Sequence, residues 1–512
     1  MVTAAGIWWP VGRAVASCGV VLAAAAGAIA CYAVRRPRRF RWLSSVAAGL
    51  MSIGIVGAGF GLAIALRVDA VGRHPISAAF GTVAQVTVTP TESALILRSG
   101  GRLMFRATLQ RLGVDATSGR VVVFARTADF GSETGGVMVG RPMRFTARIN
   151  RPSRRDLTVA VLTASGRPTV GTAGAVQRAA HLVRRSFVDA IRDTLPGDEA
   201  AMLPAMVLGD TSAVSAATSR DFRAAGMTHL TAVSGANVTI VCAAVLFTAR
   251  LIGPRSAVVL AALALVAFVI VVQPTASVLR AAVMGAIALA GMLSSRRRQA
   301  IPALSATVLI VLALAPQLAV DAGFALSVVA TAALVLIAPV WSRRLVAIGW
   351  PKPLADALAV AWAAHVVTAP LVAGISGRVS LVAAGANLAV APVVAPITVL
   401  GTAAAVLSVV WPTGAQLLIR FTGPELWWVL AVAKWAAGVP AATVPVPGGA
   451  AGVLVVVAAT LPVLLSAALL WRRPWFRTSL GLAAATVVVC AAAWALSELA
   501  GPSSEPRDTI GG

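Results

Sequence analysis

Charged residues are scarce in this chain, and several residue types that carry enzyme chemistry are almost missing from it. Aspartate, glutamate, lysine and arginine together make up 12% of the 512 residues, whereas hydrophobic residues make up 58%. So low a charge content excludes an ordinary soluble enzyme of this length and is typical of a protein that crosses a membrane many times.

Lysine, cysteine and histidine are too few and too scattered to form the motifs in which they usually act. The only lysines, Lys352 and Lys434, are followed by proline and tryptophan, so the chain has no Walker A nucleotide-binding motif. The four cysteines lie in apolar stretches without CxxC spacing, which argues against structural disulfides and a zinc site. The four histidines are too dispersed for an HxHxDH metal cluster. We therefore expect no metal, no cofactor and no enzymatic activity.

Long apolar runs recur along the chain and predict a polytopic α-helical membrane protein with about 10–12 transmembrane helices. The predicted helices cover residues 14–34, 43–66, 230–251, 257–272, 277–293, 301–314, 322–341, 354–373, 388–410, 417–437, 452–470 and 480–499. Short basic loops stay on the cytoplasmic side of a membrane, which places residues 35–41 inside. We therefore predict a cytoplasmic-membrane protein whose amino terminus and carboxy-terminal tail both lie outside.

The chain divides into five predicted regions. Two transmembrane helices (1–66) precede an all-β domain (67–175) and an amphipathic interfacial helix (176–200). A larger helical membrane region (201–475) follows, and a last helix with a short tail (476–512) ends the chain. In the amphipathic helix (176–200) the apolar residues recur at helical spacing, with arginines between them. This pattern favours a position on the membrane face.

The β domain alternates apolar and polar residues in short runs separated by glycine, proline, serine and aspartate. Five or six such strands suggest a small extracytoplasmic barrel. Residues 67–178 hold 16 arginines against six acidic residues, a net charge of +10. This charge favours an anionic polymer as partner, although the arginines could equally serve solubility or meet lipid headgroups. Arg98, Arg102, Arg106 and Arg111 are the candidate DNA contacts.

A polar, glycine-containing segment at the start of a predicted membrane helix forms the main candidate site. Its residues His229, Ser234, Gly235 and Asn237 interrupt apolar sequence, and irregular backbone at membrane depth persists only when it is buried in protein or lines a wet cavity. We expect this segment to line a channel or gate. A catalytic role for Ser234 is disfavoured, because a G-x-S-x-G elbow needs glycines where Ala232 and Ala236 stand.

Four further residues complete the predicted channel. Arg280 lies within an apolar helix, where a charge is costly and usually functional; snorkelling to the interface is the alternative. Asp321 could pair with Arg280 or, as we favour, cap the following helix. Gly385 and Asn387, with two prolines after them, are expected to break a second helix as transporters do, although proline kinks explain the pattern as well.

Several motifs resemble those of the ComEC competence family. They are GD at residues 209–210, DFRAAGMTHL at 221–230, AVSGANV at 232–238, PTASVLRAAVMG at 274–285, VDAGFALSVVAT at 320–331 and the stretch from His365 to Val394. The resemblance implies an inner-membrane channel that takes up single-stranded DNA during natural transformation, with an OB-fold for the β domain. Larger members carry a metallo-β-lactamase-like domain. This sequence holds none, so we expect nuclease activity to be absent.

The resemblance also implies partners: single-stranded DNA, membrane lipid, a cytoplasmic motor ATPase, an external DNA-binding receptor and a separate nuclease. An oligomer would be compatible with the sequence. Two other functions remain open on the residues alone. A secondary transporter or channel for a small anionic solute would also use a buried arginine and broken helices, and a non-transporting membrane scaffold would need neither.

Overall fold

The structure is a computed structural model that describes residues 2–9, 11–35, 41–97, 101–131, 137–231, 233–273, 276–293, 300–471 and 473. The predicted last helix (480–499), the tail and Arg98 lie outside these residues. The helices are α1 (Val2–Trp8), α2 (Gly12–Arg35), α3 (Arg41–Gly72), α4 (Thr127–Phe130), α5 (Ala175–Arg192), α6 (Gly197–Leu208), α7 (Ala216–Ala224), α8 (Gly235–Ala249), α9 (Pro254–Val272), α10 (Ala276–Leu293), α11 (Ala300–Leu314), α12 (Ala322–Leu336), α13 (Ala338–Val346), α14 (Lys352–Ser376), α15 (Ala383–Val410), α16 (Pro412–Phe421), α17 (Gly423–Gly438) and α18 (Gly449–Leu470).

Seven helical segments among the described residues are long and apolar enough to cross a membrane. They are Gly12–Tyr32, Ser44–Ala79, Pro254–Val272, Ala322–Val346, Lys352–Ser376, Ala383–Val410 and Gly449–Ala467, and three shorter apolar helices accompany them at Gly235–Ala249, Ser277–Met292 and Ala300–Leu314. The predicted polytopic α-helical fold is confirmed.

Proline divides two of the predicted helices. The run predicted at 322–341 splits at Ile337 into α12 and α13, and Pro339 stands in the first turn of α13. The run predicted at 417–437 splits at Thr422 into α16 and α17, just before Pro424. Proline lacks an amide hydrogen and clashes with the preceding turn, so it fits the first turn of a new helix better than the middle of a long one.

The β domain is a closed barrel. Its strands are β1 (Val83–Pro90), β2 (Leu95–Leu97), β3 (Arg102–Leu112), β4 (Asp115–Arg126), β5 (Met143–Asn150) and β6 (Ala160–Val170). β1 pairs with both β3 and β5, and β4 pairs in parallel with β6, so five strands form a ring while β2 pairs only with β3. A five-stranded Greek-key barrel is the architecture expected of an OB-fold.

The barrel interior is filled by the alternating residues of each strand. In β5 every second side chain is buried, from Met143 to Ile149. Phe105, Phe130 and Phe145 meet in the core, where the Phe130 and Phe145 rings stand edge to face with centroids 5.3 Å apart. These phenylalanines are therefore structural.

The amphipathic helix α5 packs on protein. Its residues Phe187 and Ile191 are fully buried in a core shared with α6, α15 and α17. The sequence predicts this apolar face against the membrane surface, whereas in the structure the face is covered chiefly by α15 and also by α9 and α16. Periodicity identifies the apolar face of a helix but not the surface that covers it.

Candidate nucleic-acid interface and transport path

Arg280 is buried between α10 and α12. Its side chain is only 6% exposed, which excludes the snorkelling alternative. The guanidinium donates through Nε to Ser327 Oγ at 2.8 Å and through Nη1 to Thr331 Oγ1 at 2.7 Å. No carboxylate of the described residues forms an ion pair with it. Neutral hydroxyl groups thus hold a buried positive charge that has no counterion among the described residues, an arrangement that is costly unless an anion binds there.

The amino terminus of α8 meets this guanidinium. Ser234 is the N-cap of α8, and Gly235 is its first helical residue. A β-carbon placed on Gly235 would lie 2.9 Å from Arg280 Nη2 and 3.3 Å from Ala281 Cβ, so only glycine allows this approach without displacement. The partial positive charge of the helix amino terminus adds to that of the arginine. Together they form a strongly positive point that suits an anionic group.

Asn237 joins this helix start to α6. Its side-chain Nδ2 donates to the Met206 carbonyl at 2.9 Å, and its Oδ1 accepts from Ser234 Oγ at 3.2 Å. Helix α6 then ends at Gly209, which adopts the left-handed conformation with φ 72°. The predicted gate residues Ser234, Gly235, Asn237 and Arg280 therefore lie together, and we call these four the gate cluster. Their neighbour Ala232 lies outside the described residues.

The other predicted channel residues take different places. Asp321 caps α12 by accepting from the Phe324 amide at 2.8 Å, the role we favoured. His229 lies exposed in a short 3-10 turn before α8. Among the described residues, neither Asp321 nor His229 contacts Arg280 through a hydrogen bond or an ion pair.

The second broken helix predicted at Gly385 and Asn387 is wrong. Helix α15 runs without interruption from Ala383 to Val410, through Pro392 and Pro396. Asn387 Nδ2 donates to the Ala383 carbonyl at 2.8 Å and lies 3.4 Å from the Gly226 carbonyl. Membrane helices tolerate proline because side chains and neighbouring helices satisfy the freed backbone groups. The chain break falls earlier, where β7 (Arg378–Ser380) pairs with β8 (Thr443–Pro445).

The outward face of β3 and β4 carries several arginines of the barrel. Arg102 pairs across the strands with Arg126, and Met104 pairs with Phe124, so these side chains share one face. Like charges directly opposite each other are destabilising. Arg102 and Arg126 are both exposed, and an anionic ligand bound between them would offset their repulsion. We call this surface the β3–β4 face.

The remaining arginines of this surface extend it. Thr108 pairs with Arg120, which places Arg120 on the β3–β4 face beside Arg106. Arg111, the last predicted contact that the structure describes, is exposed near the end of the β3–β4 hairpin. The sequence did not single out Arg120 or Arg126, and only the register between the strands reveals them. Phe124 faces outward and is half-buried, the one phenylalanine of this face available for stacking on a base.

The β3–β4 face lies close to the helical region. Arg106 forms an ion pair with Glu92 at 3.2 Å, and Ser93 beside it donates to Gln273, which follows α9, at 2.8 Å. Burial opposes the charge of Arg106, but Glu92, with weaker help from Asp321 and Asp156, raises the pKa of its guanidinium. For Arg120, burial and the neighbouring Arg106 lower the pKa. Asp321 is the N-cap of α12, so a carboxylate of the helical region interacts electrostatically with Arg106 and Arg120.

Comparison with known proteins places the helical part of the chain in a family. A family model described as "Competence protein" matches residues 206–497, more than half of the chain. The chain belongs to the competence protein family. ComE operon protein 3 of Bacillus subtilis (strain 168) is 27% identical to it over 169 residues, which are 33% of this chain and 22% of that protein. The match thus spans less than a quarter of that relative. No solved structure matches the chain.

Arg184 ties α5, which precedes the competence region (206–497), to that region. Its guanidinium donates to the carbonyls of Leu208 at 3.2 Å and Val271 at 3.1 Å, and lies 3.7 Å from the Asp210 carboxylate. Burial lowers the pKa of Arg184, and Asp210 partly offsets this effect. The predicted GD motif at 209–210 therefore anchors an arginine. In the sequence, Arg184 is simply one of the arginines that alternate with the apolar residues of this helix.

Among the described residues no group of three or more histidine, cysteine, aspartate or glutamate side chains is arranged to hold a metal ion. Cys18, Cys31 and Cys242 are free thiols. The described contacts of the competence region place a buried guanidinium, Arg280, beside the amino terminus of α8, and this arrangement can bind an anionic group.

Proposed function

We propose that this member of the competence family is a channel of the cytoplasmic membrane that passes single-stranded DNA into the cell. The observation that carries the proposal is the pairing of two positive sites: an arginine-rich barrel face and a buried arginine at a helix amino terminus. The first suits a polymer of phosphates and the second suits one phosphate at a time.

The β3–β4 face supports a polymeric substrate. OB-type barrels bind single strands on this pair of strands through a basic groove and stacked aromatics. Arg102 and Arg126 lie opposite each other, and Phe124 follows one row further along the same face. A carrier of small anions would have no use for several arginines spread over a surface outside its membrane helices.

The gate cluster supports passage through the membrane region. Arg280 is charged, buried and held by hydroxyls of α12, and Gly235 leaves room beside it. An anion that contacts Arg280 and the α8 amino terminus gains from both charges, and neither contact reads the sequence of a nucleic acid. Such a site fits a channel that passes DNA of any sequence.

The orientation follows from the basic loops. We assign the arginine-rich segments at 35–41 and 296–298, and the end of α13 at 343–344, to the cytoplasm, which leaves the β domain and the amino terminus outside. DNA would then meet the β3–β4 face first and the gate cluster second. A motor ATPase, an external receptor and a nuclease would be separate proteins.

The test is the entry of fluorescently labelled DNA into the cytoplasm of source cells in which DNA binding at the surface is confirmed. We compare the intact gene, its deletion, Arg280→Ala and the control Arg344→Ala, which removes an exposed arginine of α13. Entry should be lost in the deletion and in Arg280→Ala and kept in Arg344→Ala. Gly235→Val should also abolish entry while the protein remains in the membrane.

Other outcomes favour the other functions. Unchanged entry in the deletion strain would refute the channel. Loss of entry in the deletion but full entry with both Arg280→Ala and Gly235→Val would show that the assigned route is wrong. If removal of the barrel leaves transport of a small anion intact, a solute carrier becomes the better description.

A further inference from the structure

The amino-terminal helices α2 and α3 form a hairpin that packs mainly on itself. A β-carbon on Gly54 would lie 2.6 Å from the Gly19 carbonyl oxygen, and one on Gly19 would lie 2.7 Å from the Gly54 oxygen. Small residues of this kind let membrane helices approach closely. Toward the competence region the hairpin makes few contacts, among them a 3.4 Å bond from Arg67 Nη2 to the Ala313 carbonyl of α11.

A cleft of 310 Å³ separates α3 from α11 at this point. Val56, Phe60 and Ile64 line it from α3, and Leu309 and Leu312 line it from α11. Both helices are apolar, and α3 is long enough to cross a membrane, so we infer that hydrocarbon surrounds the cleft. An empty cleft would forfeit dispersion contacts along both walls. An acyl chain is the available occupant that restores them.

The length of the cleft matches one leaflet of a bilayer. Its lining on α3 extends from Val56 to Arg67, a rise of about 16 Å at 1.5 Å per residue. The hydrocarbon core of a bilayer is about 30 Å thick, so the cleft covers roughly half of it. One lipid chain, entering from the barrel side, would follow the cleft along its whole length.

Arg67 lies at the barrel end of the cleft, where the headgroup of such a lipid would lie. The nearby carboxylate of Asp69 is occupied by Arg13 and Arg73, and no described carboxylate forms an ion pair with Arg67. The Arg67 side chain is exposed. A guanidinium binds phosphate through a rigid fork of donors, which suits the phosphate of a lipid headgroup.

We propose that the cleft between α3 and α11 binds one anionic phospholipid, with an acyl chain along Phe60 and Leu312 and the headgroup phosphate on Arg67. The bound lipid joins the amino-terminal hairpin to the competence region. The site does not depend on DNA or on the proposed channel.

Native mass spectrometry of the full chain in mild detergent tests the proposal by titration with phosphatidylglycerol and, separately, with neutral phosphatidylcholine. The intact protein should bind one phosphatidylglycerol about fivefold more tightly than phosphatidylcholine, the ratio expected for one arginine near a headgroup. Arg67→Gln should remove this preference. Arg73→Gln, which changes a neighbouring arginine outside the cleft, should keep it.

Two matched glycines test the cleft itself. Gly59 lines it and Gly57 does not, and a β-carbon at either position meets nothing within 4 Å. Gly59→Leu should therefore fill the cleft without a clash and reduce binding of both lipids, whereas Gly57→Leu should bind like the intact protein. Equal binding in the two leucine variants, or a phosphatidylglycerol preference that survives Arg67→Gln, would overturn the proposal.

Discussion

Replacement of Gly235 by alanine should destabilise the protein while Arg280 is present and cost much less once Arg280 is removed. The added β-carbon would lie 2.9 Å from Arg280 Nη2, closer than such atoms approach, so the guanidinium has to move. Its bonds to Ser327 and Thr331 oppose that movement. The size of the effect thus depends on a residue 45 positions away in the sequence.

The size of the effect follows from the contacts. Displacing the guanidinium forfeits one hydrogen bond of a charged group, about 1.5–3 kcal/mol. Alanine returns about 0.4–1 kcal/mol by reducing the freedom of the unfolded chain. Gly235→Ala should therefore cost about 1–2 kcal/mol in the intact background. In the Arg280→Ala background the loss of that hydrogen bond no longer occurs, and the gain is opposed only by the 3.3 Å approach to Ala281 Cβ. The two positions should therefore couple by about 2 kcal/mol.

Thermal unfolding of four proteins in one detergent measures this coupling: the intact chain, the two single variants and the double variant. Gly291→Ala is the matched control, because Gly291 lies in α10 and a β-carbon there meets nothing within 4 Å. Its effect should be the same with and without Arg280. If Gly235→Ala lowers the unfolding temperature equally in both backgrounds, the contact between α8 and Arg280 is not the one described.

Three further predictions concern the barrel, the helix junction and pH. Arg126→Gln should weaken binding of a labelled oligothymidylate and reduce the slope of log affinity against log salt by about 0.7. Arg106→Gln should do less, because an ion pair already neutralises part of its charge. Asn237→Ala should lower stability by about 1–3 kcal/mol in thermal unfolding, since the buried Met206 carbonyl loses its donor. Burial lowers the pKa of His181 below 6.5, despite its bond to a backbone carbonyl. The unfolded chain then binds more protons, so this stability is full above pH 6.5 and is lost as the pH falls through the folded value.

Each of these has its control. For the barrel, fluorescence anisotropy at several salt concentrations gives the slope of log affinity against log salt for Arg126→Gln and Arg106→Gln. Equal slopes for the two variants would mean that the ion pair of Arg106 is unimportant and would contradict the assignment. Asn237→Asp should destabilise at least as much as alanine, because a carboxylate would face the carbonyl; a more stable aspartate variant would exclude the bond. His181→Gln should flatten the unfolding temperature between about pH 5 and about pH 7.

Local sequence was a good guide to the elements of the barrel and to many of the membrane helices. The five or six short strands predicted for the β domain appear as β1 to β6, and the run predicted at 14–34 appears as Gly12–Arg35. Each segment's own residues set these two patterns, the alternation of apolar and polar residues in a strand and the long apolar run of a membrane helix. Both patterns show which side chains are to be buried. The family motifs are also a property of the sequence, and the match over residues 206–497 confirms them.

Where the sequence was wrong, an interaction across helices decided the outcome. Gly385, Asn387 and two prolines suggested a broken helix, yet α15 is continuous. The apolar face of α5 suggested lipid, yet it meets α15. In both cases the residue types show what is unfavourable locally, a proline within a helix or an apolar face in water. The neighbouring helices that offset this cost come from distant parts of the chain.

The gate cluster shows what the sequence alone determined and what depended on the tertiary structure. Sequence alone identified Ser234, Gly235, Asn237 and Arg280 as candidates, since polar groups at membrane depth are expensive. It did not show that Gly235 makes room for Arg280, that Asn237 binds the Met206 carbonyl, or that Arg184 reaches Val271, 87 residues away. Such contacts depend on helix packing and strand register, which only the folded chain sets, because they join groups whose separation in sequence carries no periodic signal.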